Sequence, residues 1–214
     1  MTGRQVKRHY ESAARKAGAQ ETRRKIRAAA AELFVTHGYV ATTMKAIATA
    51  AGISERTVFL AFPTKAALLA ECIQVAVRGD DDATPLLARE RTQKLLEAPR
   101  EHILGLLAEQ SAELMSRAAR LLAVGESVGP ADPLLNEARE RGRAATRSDL
   151  LEVAKAMKRV GALQRGMSAE RAADVMYAVA ASESVYLRLV DQRGWSTDEY
   201  ARTLERALAG ALSA

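Results

Sequence analysis

Arg56, Thr57, Phe59, Leu60 and Lys65 are residues whose types and spacing point to a definite chemistry, contact with a nucleic acid. They stand in the stretch GYVATTMKAIATAAGISERTVFLAFPTKAALL, residues 38 to 69. The guanidinium fork of Arg56 matches O6 and N7 of guanine, and Thr57 and Leu60 can offer methyl groups to thymine. The hydroxyl of Thr57 can also reach a phosphate. For Arg56 the alternative is a solvated or phosphate-paired side chain. Thr43 and Lys65 each sit at a helix start, where free N–H groups favour an anion, and Lys65 adds a charge there. Ordinary capping by Thr43 and a solvated Lys65 are the plainer alternatives, and capping is compatible with clamping.

The elements that must position these residues are legible in the same stretch. Ala48, Gly52 and Val58 have the spacing of a helix-turn-helix. A small residue lets two helices approach, a glycine makes the turn, and a branched apolar residue docks the second helix. Before it, Ile26, Ala29, Ala30, Leu33 and Phe34 repeat at three- and four-residue intervals, which predicts a first helix from about Glu21 to His37, stopped by Gly38. Thr43 caps helix 2, whose Met44, Ile47, Ala48 and Ala51 face inward. Ser54 caps helix 3, with Ile53, Val58 and Phe62 on its buried side. Pro63 ends helix 3, because it has no N–H to donate and disfavours a helical residue before it. Thr64 caps helix 4, which continues to about Arg78.

The chain has 214 residues, of which 48% are hydrophobic and 27% charged, so it is globular and long enough for one to two domains. Its net charge of +6 is unevenly placed. Residues 1–78 hold thirteen Lys/Arg against five Asp/Glu, and the remainder nineteen against twenty-one. A basic end on a near-neutral body suggests a polyanionic partner for that end alone, although basic surfaces also serve solubility. Residues 1–20 carry Arg4, Lys7, Arg8, Arg15 and Lys16 without an apolar period. They read as a flexible basic arm that either reaches DNA or stays solvated. The acidic run Asp80, Asp81 and Asp82 marks a break. Beyond it, helices are expected over 86–97, 99–122, 133–160, 169–192 and 197–212. No alternating strand pattern occurs. The expected fold is all-α: a basic arm over 1–20, a three-helix helix-turn-helix domain over 21–66 and a helical body over 67–214.

These residues closely resemble the N-terminal signature of TetR-type transcriptional regulators. The resemblance covers residues 22–75 and runs in order through Gly, Thr-Thr, Ile-Ala, Ala-Gly-Ile-Ser, Thr, Phe-Pro, Lys and Leu-Leu. It implies a homodimer that binds a two-fold double-stranded operator, most often as a repressor, and releases it when a small-molecule effector enters the body. It also implies phosphate contacts from Thr43 and Lys65 and a helix 3 that reads the major groove. The DNA-contacting candidates are therefore Thr42, Thr43, Ser54, Arg56, Thr57, Phe59, Leu60 and Lys65. Two positions depart from the pattern. The family often has tyrosine and then histidine or another polar residue where Phe59 and Leu60 stand. Phe59 has no hydroxyl for a phosphate and Leu60 cannot donate a hydrogen bond, which moves weight onto Arg56, Thr57 and the basic arm.

In the body, Tyr200, Leu204, Ala207, Leu208 and Ala211 form one apolar stripe, and Val175, Met176, Val179, Leu187 and Val190 another. Two such helices can pair by two-fold symmetry, so a dimer interface through residues 169–212 is expected. The alternative is that the stripes complete the protomer's own core. Effector contacts are expected where polar groups interrupt apolar rows: Gln110 and Ser111 beside Leu107 and Met115, and Glu183 in the later stripe.

Other classes are less well supported. Cys72 is the only cysteine, so no internal disulfide can form, and no Cys/His cluster has zinc spacing. His9, His37 and His102 make no Ser/His/acid arrangement or His-x-x-x-His pair, and there is no phosphate-binding glycine loop. No catalytic residue, cofactor or metal is expected. With no membrane-length apolar run and no signal-peptide pattern, a cytoplasmic location is expected. An architectural DNA binder is the first alternative function and an α-helical enzyme the second.

Overall fold

Local capping chemistry and apolar spacing build two separate cores. A computed structural model of the protein describes residues 3–213, with side chains from residue 17. Every regular element among them is helical. The chain divides into two compact units between Cys72 and Ile73, a division that falls inside a helix.

The first unit, the head, contains α1 (Gly3–Ala41), α2 (Met44–Ala51), α3 (Glu55–Ala61) and the start of α4 (Lys65–Arg78). Gly38 interrupts α1 with φ 74° and ψ 171°, a left-handed φ that glycine adopts without strain. Gly52, at φ 65° and ψ 33°, turns α2 toward α3 and donates its N–H back to the end of α2. The side chains of Thr43, Ser54 and Thr64 accept from the N–H groups of Ala46, Thr57 and Ala67, so each expected cap is present. Ile26, Ala30 and Phe34 of α1 are buried, as are Met44, Ile47 and Ala48 of α2, Val58 of α3, Phe62, and Leu68, Leu69 and Cys72 of α4. Each large apolar side chain among them contributes about 1.5–3 kcal/mol by leaving water. Expected inward residues Ala51 and Ile53 are only half-buried. Glu71 pairs with both Arg23 and Arg27, whose Nη1 lies 2.9 Å away, and so ties α4 to α1. Arg23 also donates to the Ala61 carbonyl at 2.6 Å and covers the Phe62 ring at 4.1 Å.

The expected flexible arm is corrected. The helix expected from about Glu21 already runs from Gly3, so residues 3–20 are helical. Ala, Arg, Lys and Gln dominate residues 13–20, and their intrinsic propensity sustains a helix with no apolar face to direct it. The side chains of Arg4, Lys7, Arg8, Arg15 and Lys16 lie outside the described residues.

The second unit, the body, holds α5 (Glu90–Leu96), α6 (Ile103–Val128), α7 (Pro133–Arg159), α8 (Ala169–Ala180), α9 (Glu183–Tyr186) and α10 (Thr197–Leu212). Short 3-10 turns at Leu86–Ala88 and Gly129–Ala131 precede α5 and α7. α6 is the central helix, packed against α10, α9 and α7, while α7 packs on α8. Asp132, Ser168 and Ser196 cap α7, α8 and α10. Three expected helices differ. The one expected over 86–97 is a 3-10 turn at Leu86–Ala88 and then α5 from Glu90, parted by Arg89 in extended backbone. α6 starts at Ile103 and extends to Val128 instead of spanning 99–122. The helix expected over 169–192 breaks at Ala181 and Ser182. There the Ser182 hydroxyl caps a new start, and the chain then widens into a π turn at Leu187–Asp191.

The α10 stripe divides: Tyr200, Leu204 and Leu208 are buried, while Ala207 and Ala211 are exposed. Leu204 and Leu208 are buried inside the protomer with Tyr200 and Met176, in one cluster with Ile103, Leu107 and Met115 of α6. An amphipathic stripe fixes that a face is buried, and here α6 of the same chain covers it.

Candidate nucleic-acid interface

The residues expected to touch DNA separate into an exposed face of α3 and a buried group beneath it. On α3, Arg56, Phe59 and Leu60 follow the i, i+3, i+4 spacing of one helical face, and all three are exposed. Phe59 is 45% exposed and Leu60 76%, while Val58 and Phe62 hold the opposite side of the segment in the core. Arg56 has no hydrogen-bond or ion-pair partner among the described residues. The Ser54 and Thr57 hydroxyls lie 2.8 Å apart, and Ser54 also accepts the Thr57 N–H at 3.2 Å. One of the two hydroxyls donates to the other, leaving a single hydroxyl hydrogen for an outside acceptor.

Thr43 is exposed in extended backbone at the start of α2, and its oxygen accepts the Ala46 N–H at 3.0 Å. Its hydroxyl hydrogen remains available to an anion at the same helix end. Thr42 is corrected. It is 2% exposed, and its hydroxyl spans the Leu33 and Gly38 carbonyls at 3.1 and 2.8 Å. That side chain closes the α1–α2 turn and offers nothing to a phosphate.

Lys65 has a role that spacing could not show. Its ammonium donates to the carbonyls of Tyr39 and Thr42 at 2.7 and 2.8 Å and lies 4.2 Å from the Tyr39 ring centre. Tyr39 in turn stacks on the buried Phe34 ring, with centres 5.8 Å apart. Burial pushes the Lys65 pKa down, since the charged form loses water. Two of its three N–H bonds are thus turned inward onto the loop that carries Thr43. Lys45, exposed in the first turn of α2, is a cation near the same helix start that the sequence reading passed over. Its place two residues after the Thr43 cap was the available signal.

Burial raises the Cys72 thiol to about 12, consistent with an inert core residue whose sulfur lies 3.6 Å from the Arg27 carbonyl.

In the body, the expected effector residues are not brought together as one polar cluster. Leu107 and Met115 are core residues of α6. Gln110 donates to the Arg91 carbonyl at 3.1 Å and so fastens α6 to α5. Ser111 is half-buried, and Glu183 is the half-buried first residue of α9, a helix that packs on α6. The sequence placed Tyr200 in the α10 stripe but not the polar end of its side chain. It is 2% exposed, its hydroxyl has no hydrogen-bond partner among the described residues, and its ring meets that of Tyr186 edge-on at 4.9 Å. Burial, then the neighbouring Tyr186, raises its pKa to about 12.

Residues 26–72 match the sequence model of a family described as bacterial regulatory proteins, tetR family. No curated protein matches the chain. Among solved structures, the chain is similar to NalD of Pseudomonas aeruginosa, described as the secondary repressor of the MexAB-OprM multidrug efflux pump. The identity is 25% and the TM-score 0.68, over 92% of this chain and 98% of NalD. A protein of Mesorhizobium loti described as a TetR-family transcriptional regulator is 22% identical with a TM-score of 0.69, over 92% of this chain and 98% of that one. The fatty acid degradation regulator FadR of Bacillus halodurans is 18% identical with a TM-score of 0.68, over 87% and 94%. These likenesses extend through the body, so both units have the fold of such regulators. Among the described residues no single helix is long and apolar enough to cross a membrane.

Proposed function

We propose that the chain is a regulator of the tetR family, whose model its residues 26–72 match, and that it is a sequence-specific DNA-binding repressor acting in the cytoplasm, without a catalytic role. One observation carries this reading: the exposed face of α3 in a basic head, where Arg56, Phe59 and Leu60 share one side and Arg56 has no hydrogen-bond or ion-pair partner among the described residues. A helix held by Val58 and Phe62 on one side and free on the other can enter a major groove. Thr43, Ser54 and Lys45 would then meet phosphates and set the register, while Arg56 reads a base. Lys65 supports this contact chiefly by holding the Tyr39–Thr42 segment, the end of α1 and the residue after it, in place.

The repressor works as a homodimer on a two-fold operator, through the outward sides of α8 and α10. Val175, Val179 and Ala209 are partly exposed there, and Ala178 is exposed. A small molecule bound in the body, which contains Leu107, Gln110, Ser111, Met115, Glu183 and Tyr200, lowers operator affinity. NalD, similar over nearly its whole length, is described as a repressor, which supports that direction of regulation. Selection of bound duplexes from a random pool tests the reading. It should enrich a palindromic site with half-sites spaced for two major grooves on one face of the helix. A pool that stays unenriched contradicts it.

A further inference from the structure

We infer that Leu60, with Phe59 beside it, reads thymine methyl groups, so that the operator half-site requires thymine within about two base pairs of the guanine read by Arg56. The inference rests on the DNA-binding reading above and goes further by naming the base class. Four of the six large apolar side chains left exposed among the described residues belong to the head: Val35, Val40, Phe59 and Leu60. Two of those four share one face of α3 with Arg56. The surrounding unit is basic, with twelve Lys/Arg against five Asp/Glu over residues 1–72, so a polyanion is the partner its charge favours. A phosphate gives Leu60 and Phe59 nothing, and neither residue can hydrogen-bond a base edge. In a major groove the apolar group presented by an unmodified base edge is the C5-methyl of thymine. A face built from one guanidinium and two hydrocarbon side chains is therefore complementary to guanine beside thymine.

The spacing is compatible with that reading. Arg56 and Leu60 are separated by four residues, about 6 Å of helix rise. Successive base pairs rise about 3.4 Å, so the two side chains span roughly two steps when α3 lies along the groove. Leu60 is exposed enough for its side chain to bury a methyl on contact without disturbing Val58 or Phe62 beneath it. Burying one methyl is worth about 0.8 kcal/mol, or about fourfold in affinity. Where the position recurs in both half-sites, the effect is about fifteenfold.

The test uses the full chain and the duplex enriched by random-pool selection. Deoxyuridine replaces each thymine in turn, which removes only the methyl and keeps base pairing. Binding is measured by fluorescence anisotropy at one salt concentration. The expected result is a fourfold to fifteenfold loss at one or two thymines of each half-site. The Leu60→Ala variant should bind the thymine and uracil duplexes equally at that position, with its far-UV circular dichroism unchanged. A selected site without thymine beside guanine overturns the inference, as does indifference of the wild-type protein to uracil. Full discrimination retained by both Leu60→Ala and Phe59→Ala overturns it too. If these variants alter oligomeric state or protein association while uracil discrimination stays intact, the apolar face serves a protein contact and the inference falls. A pool with no enriched site removes the DNA-binding reading itself, and so differs from a failure confined to thymine.

Discussion

Replacing Lys65 by methionine separates a lysine that holds the protein's own loop from one that only clamps DNA. Lys65→Met keeps the length and apolar stem of the side chain and removes the ammonium. Two donors to the Tyr39 and Thr42 carbonyls are lost, together with the contact over the Tyr39 ring. Hydrogen bonds from a charged group are worth about 1.5–3 kcal/mol each when fully sheltered. Lys65 is only half-buried, so water can replace much of that in the variant, and roughly 0.5–1 kcal/mol per bond is the better figure. The ring contact adds about 0.5–1 kcal/mol. Relief of the desolvation that lowers the Lys65 pKa offsets part of the loss. The net expectation is destabilisation by about 1–2 kcal/mol, a fall of roughly 0.5–1 M in urea midpoint at a slope near 2 kcal/mol/M. Affinity should weaken on operator and random duplex alike, because the loop carrying Thr43 loosens. The salt dependence should stay the same, whereas loss of a phosphate contact would reduce its slope by about 0.9. Urea unfolding followed by circular dichroism is the decisive assay. An unchanged midpoint refutes the clasp, whatever the slope does.

Three further outcomes follow from the same geometry. Leu204→Glu or Leu208→Glu should unfold the body instead of yielding folded monomers, since each places a carboxylate in a sealed core at a cost of several kcal/mol; sedimentation showing helical, compact monomers would contradict this. Tyr200→Phe should stabilise the protein by about 1 kcal/mol near neutral pH, because a buried hydroxyl without a partner costs about 1–3 kcal/mol. The folded pKa of Tyr200 is raised to about 12 from 10.0, so its contribution is complete below pH 10 and is lost as pH rises toward 12; the variant should lack that alkaline loss in urea titrations across the window. Arg56→Ala should cost about 1–3 kcal/mol on the operator and relax preference at one position per half-site; equal weakening on random DNA would make Arg56 a phosphate contact.

The head was largely legible because its signals are local. Thr43, Ser54 and Thr64 cap helices within three residues of themselves, and Gly38 and Gly52 take the left-handed φ that their placement implied. The exposure of Arg56, Phe59 and Leu60 followed from the helical period of α3 alone. Lys65 and Thr42 were not legible, because their partners come from segments brought close by folding. Lys65 meets a loop more than twenty residues earlier in the chain, and Thr42 reaches back to Leu33. The α10 stripe was visible, but its partner was not: Leu204 and Leu208 would look the same facing a second copy as facing α6. Tyr200 was legible as a stripe residue, but its orphaned hydroxyl was not, since that is defined only by what surrounds it.

The central claim is that α3 distinguishes one DNA sequence from another. Its most direct measurement is the ratio of dissociation constants for the selected duplex and a scrambled duplex of equal length and composition, at one salt concentration near physiological. A sequence-specific regulator should show a ratio of at least about a thousandfold, with the selected duplex the tighter. A ratio near one, with both affinities falling equally as salt rises, would mean that the basic head binds phosphate alone and would contradict the claim.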